Sequence, residues 1–185
     1  NMPAPFLSVL IDDCIANGQD YNSGGARYNT SYIQCVGIGT ITDSLSSIRR
    51  HVYEENEITH NELLDVLSRD FADADTLYQT ILDKTPRYGN DDDHADGIMQ
   101  QVFSSLIDTI EGRTNSRGGQ YHVDMLPTTC HIYFGSVLGA TPDGRKAGTP
   151  VSEGISPVQG ADRKGPSAVI KSAAKMDHLR TGGTL

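Results

Sequence analysis

No tryptophan occurs among the 185 residues, and there are only three cysteines, Cys14, Cys35 and Cys130. The three share no C-x-x-C spacing, so neither a disulfide framework nor a cysteine-ligated zinc site is written into the chain. A reducing compartment, the cytoplasm, is the expectation. Long apolar runs are missing as well, and none approaches the roughly 18–20 residues that span a bilayer. The segment "NMPAPFLSVLIDDCIANG" has no basic start and sets Asp12 and Asp13 directly after its apolar run, so it does not read as a secretory signal. Positive charge is scarce. Fifteen Lys and Arg stand against 24 Asp and Glu, for a net charge of −9, and the cations are scattered along the chain. A nucleic-acid surface needs a basic patch, so nucleic acid is excluded as a partner and no membrane association is expected.

Metal and phosphate motifs fail on spacing. "DDDHADG" (91–97) begins like a calcium loop, but Phe103 stands where the bidentate Glu belongs. The six histidines, including His51, His60 and His94, lack ligand spacing and fall mostly on helix faces read as exposed, so no metal is expected. "VGIGT" (36–40) has a G-x-G without the further glycine or lysine of a phosphate loop and reads as a structural turn.

What is present is mostly helical periodicity. Apolar residues from Phe6 to Ile15 recur at helical spacing, with Gly18 as a stop. Thr42 or Asp43 caps "DSLSSIRRHVYEE", striped by Leu45, Ile48 and Val52. Thr59 and Glu62 form a capping box before "LLDVLSRDF". "ADTLYQTILDK" ends before Pro86, and "DDDHADGIMQQVFSSLIDTIEG" is the longest helix, with an acidic start suited to the helix dipole and Gly112 to close it. "SAVIKSAAKMDHL" is a last helical piece. Between them, 20–40 reads as a long glycine-rich loop of the kind that carries a function.

The strand signal is concentrated at 121–138, strongest over the β-branched and aromatic residues of 128–137. Strand alternation there puts Thr129, His131 and Tyr133 on one face and Thr128, Cys130 and Ile132 on the other. Thr128, Thr129 and His131 are thus substrate-pocket candidates, and Cys130 reads as a small buried apolar residue. After this stretch comes "GATPDGRKAG" (139–148), a Pro-Asp-Gly turn followed by Arg145-Lys146. Asp143, Gly144 and Arg145 read as a structural corner that ties down the following loop. One or two strands cannot make a sheet, so most of the sheet is expected from residues outside these 185.

Taken in order, "GGARYNTSYIQCVGIGTITDSL" (24–45), "KTPRYGNDDDHAD" (84–96), "TTCHIYFGSVLGATPDGRKAG" (128–148) and "SPVQGADRKGPSAVIKSAAKMDH" (156–178) resemble the glycyl radical enzymes, the family that includes pyruvate formate-lyase. The resemblance implies an α/β fold: a ten-stranded barrel of two five-stranded halves with helices outside, of which 1–185 would be a fragment. It also implies a radical relay between a C-terminal glycine loop and a cysteine loop. The family's R-V-x-G-Y/F and G-C-x-E contexts are absent from the sequence, so the glycyl radical domain is read as missing, no catalytic residue is assigned, and the chain alone is expected to be inactive. The implied cofactor is a glycyl radical installed by an S-adenosylmethionine, iron–sulfur activating enzyme. The implied partners are that enzyme, a small-molecule substrate and a second copy in a homodimer. "MLPTTCHIYFGSV" with "SEGISPVQGADRKGP" looks most like the trans-4-hydroxy-L-proline dehydratase branch, an anaerobic lyase activity. The alternatives are formate C-acetyltransferase, a glycerol or diol dehydratase, and a non-catalytic truncated paralogue.

Overall fold

The computed structural model describes residues 2–182. Eight helices and two strands follow in the order α1 (Pro5–Ser8), α2 (Asp12–Asn17), β1 (Ser31–Gln34), α3 (Ile38–Ser47), α4 (His60–Ser68), α5 (Asp75–Lys84), α6 (Asp93–Ile110), β2 (Tyr121–Asp124), α7 (Cys130–Val137) and α8 (Pro166–Ala174). The strands pair in parallel, Ser31 opposite Tyr121 through Gln34 opposite Asp124. A parallel pair needs a crossover; here it contains α3 to α6, and the result is an α/β arrangement. Strand β1 lies inside the stretch read from sequence as a loop. Its "SYIQ" is too short to show a period, and only the distant partner β2 makes it a strand.

The main core forms where α6 and the strands meet α8 and the 151–155 segment. Tyr88, Met99, Ile107, Val123 and Met125 are fully buried there. Helix α6 follows its expected stripe. Asp92 caps it by accepting from the His94 N–H, and it ends at Ile110, with Gly112 just beyond at φ +75°. The capping box also forms: the Thr59 hydroxyl accepts from the Glu62 N–H, and the Glu62 carboxylate accepts from the Thr59 N–H.

Four sequence expectations are corrected. Residues 5–17 form two short helices rather than one. Helix α3 starts a turn earlier than Thr42, at the left-handed Gly37 (φ +91°), and runs on as a π-helical turn over Ile48–Glu54. Thr42 and Asp43 therefore lie on its fully buried face rather than at its cap. His51, read as exposed, is buried, with Nδ1 2.6 Å from Glu57 Oε2 and Nε2 2.9 Å from Thr85 Oγ1. Finally, 128–137 is not a strand. β2 stops at Asp124, and Cys130–Val137 is helical. With no strand among the described residues beside it, the segment meets its backbone hydrogen-bonding needs mostly as a helix, against its β propensity, with the His131 carbonyl accepting from the Val151 N–H. Ile132, Tyr133, Phe134 and Val137 are all exposed, so the two-residue alternation has no counterpart. Cys130, expected buried, is exposed as well.

Candidate functional site

Ligands of parallel α/β sheets gather at the carboxyl ends of the strands, and here those ends are cross-tied. The Gln34 side-chain amide, closing β1, donates to the carbonyl of Leu126 beyond β2, and also to Cys35 O at 3.2 Å. The Asp124 carboxylate, closing β2, accepts from the Leu126 N–H at 3.1 Å. The chain then passes through Pro127 to Thr128 and Thr129 and enters α7. Thr129 is the N-cap residue but makes no side-chain cap bond.

Helix α7 separates two cavities. An apolar one of about 530 Å³ is bounded by Gln34, Gly37, Thr40, Ile41, Phe134 and Val137. A polar one of about 300 Å³ is bounded by His131, Ser152, Glu153, Ser156, Gln159 and Asp162. Of the three pocket candidates, His131 lines the polar cavity. Thr128 is half-buried, and its Oγ1 is enclosed without a hydrogen-bond partner among the described residues. Thr129 is exposed at the mouth of the helix. The structure thus brings the three onto one turn rather than onto two faces of a strand. His131 Nδ1 reaches Thr128 O at 2.6 Å, with Glu153 Oε2 3.7 Å away.

The loop after α7 is held by its own charges. Arg145 donates to the carbonyls of Gly139, Lys146 (3.1 Å) and Thr149 (2.6 Å) and to Thr141 Oγ1 (3.1 Å). Asp143 Oδ1 accepts from Thr141 Oγ1 at 2.5 Å and from Ser44 Oγ on α3 at 3.3 Å. Arg87 joins the two buried acids, donating to Asp143 O at 2.7 Å and to Asp43 Oδ2 at 3.4 Å. Gly144 is left-handed, at φ +90°, where glycine is favoured. Burial pushes the Asp43 carboxyl up to about 7, against the opposing pull of Arg87 and of the Tyr88 N–H. Burial, followed by the nearby Asp96 and Asp43, likewise pushes the Tyr88 phenol up. The Cys35 thiol is raised by burial and by Asp124, which disfavours a thiolate there.

The residues after 150 are laced to the earlier ones. Thr40 and Ser152 exchange bonds, the Ser152 N–H donating to Thr40 Oγ1 at 2.8 Å and the Thr40 N–H to Ser152 Oγ at 3.1 Å. Tyr88 Oη donates to Ile155 O at 2.9 Å. Asn90 donates to Ala161 O at 2.8 Å and accepts from the N–H groups of Arg163 and Lys164. Lys175 sits among Asp91, Asp93 and Asp96, and the hydrogen bonds it donates to Asp93 and Asp96 chiefly hold its ammonium above the usual lysine range. Sequence reasoning missed Gln34, Asp43, Arg87 and Glu153. Asp43 carried a signal, an acid one turn inside an apolar helix start, but it was read as a cap.

Comparison with known proteins gives two family models. The model described as pyruvate formate lyase-like matches residues 1–135, and the one described as glycine radical matches 151–185. The chain is 55% identical over its whole length to the trans-4-hydroxy-L-proline dehydratase of Clostridioides difficile, covering 23% of that protein. The crystal structure of that enzyme with trans-4-hydroxy-L-proline bound superposes on the whole chain with a TM-score of 0.93. The B12-independent glycerol dehydratase of Clostridium butyricum, with glycerol bound, is 39% identical, with a TM-score of 0.90 over 98% of this chain and 23% of its own. The (2S)-3-sulfopropanediol dehydratase of Klebsiella oxytoca is 34% identical over 99% of the chain and 23% of its own length. The chain spans about a quarter of the length of these relatives.

Proposed function

Because the chain belongs to the pyruvate formate lyase-like family, we propose that it is part of a glycyl radical dehydratase that converts trans-4-hydroxy-L-proline to a pyrroline carboxylate. The observation that carries this reading is the 55% identity to the hydroxyproline enzyme over all 185 residues, against 39% or less to the glycerol and sulfopropanediol dehydratases named above. In this reading 1–185 belongs to a ten-stranded barrel of two five-stranded halves, of which β1 and β2 are two neighbouring strands. The segment 151–185, which the glycine radical model matches, then belongs to the radical domain rather than lying before it, but the sequence holds no R-V-x-G-Y/F context for the radical glycine, so these residues alone are inactive. The whole protein is a cytoplasmic homodimer of an anaerobic metabolism, charged by an S-adenosylmethionine, iron–sulfur activating enzyme.

The radical supplies removal of a substrate hydrogen atom next to the carbon that bears the hydroxyl. The overall change would be loss of water with no net oxidation. This chain's share is binding and shaping. The Thr128 hydroxyl is unpartnered, so it has hydrogen-bonding capacity for a polar substrate once the turn exposes it; in this structure it is enclosed and bounds neither cavity. Thr129 and His131 complete the turn that presents it. Asp143, Gly144 and Arg145 close the 139–149 loop that follows α7 and take no part in binding.

Formate C-acetyltransferase activity is the competing reading. It needs an anchor for the phosphates of coenzyme A, and Arg145, the most buried cation of the 139–149 loop, is committed to three carbonyls and a hydroxyl. The test is anaerobic assay of the activated full-length protein. Hydroxyproline consumption supports the proposal. Coenzyme A-dependent formate release from pyruvate, with hydroxyproline untouched, would defeat it.

A further inference from the structure

We propose that His131 is a positioning residue: its imidazole fixes the turn that aims the Thr128 hydroxyl. The inference rests on the reading above, in which Thr128 lines the substrate pocket.

Helix α7 begins without an ordinary cap. Thr129 occupies the N-cap position in a helical backbone conformation (φ −72°, ψ −5°), and its hydroxyl caps nothing. The carbonyl that precedes it, Thr128 O, is instead held from inside the helix by His131 Nδ1 at 2.6 Å. A carbonyl only accepts, so Nδ1 carries the proton in this bond. Glu153, the neighbouring carboxylate, is 3.7 Å from the same nitrogen, beyond hydrogen-bonding range. The imidazole is itself pinned, because its side chain is mostly buried and its own main-chain carbonyl accepts from the Val151 N–H at 3.3 Å. His131 thereby links the two segments matched by the two family models, 1–135 and 151–185.

Thr128 Oγ1 is enclosed and unpartnered, so no hydrogen bond within the described residues orients that side chain. Its direction follows from the backbone of residue 128, and the His131 bond is the side-chain contact that fixes that backbone. Losing it frees the turn without removing any group that touches substrate. A hydroxyl that binds substrate and transition state alike appears in KM rather than kcat. Loosening the turn should therefore raise KM on the order of tenfold, the worth of about one hydrogen bond.

The experiment compares His131→Phe, His131→Asn, Thr128→Val and the Phe/Val double variant in the activated full-length protein, with KM and kcat for hydroxyproline and the melting temperature of each. Phe keeps the ring volume without the donor; Asn keeps a donor in place of Nδ1. The expected result is a KM raised about tenfold in His131→Phe with kcat little changed, recovery in His131→Asn, and no further rise when Thr128→Val is combined with His131→Phe. Multiplying effects in the double variant, a lowered melting temperature with KM unmoved, or misfolding of both histidine variants would each overturn the inference. A raised KM in Thr128→Val beside a silent His131→Phe would overturn only this step. An unmoved KM in Thr128→Val would defeat the pocket reading itself.

Discussion

Removing Arg145 should open the 139–149 loop while leaving the rest of the fold in place. In the closed loop the guanidinium bonds the carbonyls of Gly139, Lys146 and Thr149 and the hydroxyl of Thr141. The residue is 7% exposed, so these acceptors have little access to replacement by water. A hydrogen bond from a charged donor contributes roughly 1.5–3 kcal/mol. If about two of the four are lost without replacement, Arg145→Ala costs the closed state about 3–6 kcal/mol. The neighbouring Lys146 reports on opening. Its ammonium donates to Asp70 O at 2.7 Å and lies 4.6 Å from the Tyr78 ring centroid, out of reach of a protease until the loop lifts. When opening is fast relative to cleavage, proteolysis follows the open population, so trypsin cleavage after Lys146 should accelerate on the order of 10²–10⁴-fold in the full-length protein. Arg145→Lys, which keeps the charge but not the fork of donors, should fall between. Cleavage of Arg145→Ala within about threefold of the parent rate would refute the argument that these bonds close the loop.

Three further outcomes follow from the same geometry. Gly135→Ala should lower the melting temperature, because a Cβ there would run into Thr149 O and the Pro150 backbone; calorimetry checks it, and an unchanged transition would contradict the packing of α7 on 149–150. Asp43 is held at about 7, above its unfolded value of roughly 3.9. The stability it contributes is therefore complete below the unfolded value and is lost as pH rises through 7. Denaturant midpoints should fall as pH rises from about 4 to about 7 and level off above, and Asp43→Asn should flatten that slope. Residues 1–185 expressed alone should aggregate or fold poorly, since Phe6, Leu10, Tyr133, Val137 and Ile170 are all more than 60% exposed; a monodisperse monomer with a cooperative melt would contradict this.

How much of this was legible beforehand depended on whether the signal was local. The capping box at Thr59 and the long stripe of α6 are patterns within one turn or one helix, and both formed as read. Strand β1 was hidden because its partner lies 90 residues away, and no window of sequence contains both. The strongest strand signal, at 128–137, misled for the converse reason. β propensity measures fit to a sheet, and α7 has no neighbouring strand among the described residues to fit. Thr128, Thr129 and His131, read as lying on the two faces of a strand, are neighbours on one turn at the start of α7. The Asp43–Arg87–Asp143 chain could not be read in advance, since a buried guanidinium joins three distant segments, pairing with the Asp43 carboxylate and donating to the Asp143 main-chain carbonyl. The role of Asp143, Gly144 and Arg145 as a structural corner was read from the turn residues, and their hydrogen bonds are consistent with it.

The central claim, dehydration of hydroxyproline, is tested most directly by its product. The full-length protein, activated anaerobically, is incubated with trans-4-hydroxy-L-proline and the mixture is analysed by mass spectrometry. The account predicts a pyrroline carboxylate lighter than the substrate by one water, formed only after radical activation and sensitive to Thr128→Val. Unchanged hydroxyproline beside rapid turnover of glycerol, or of pyruvate with coenzyme A, would contradict it.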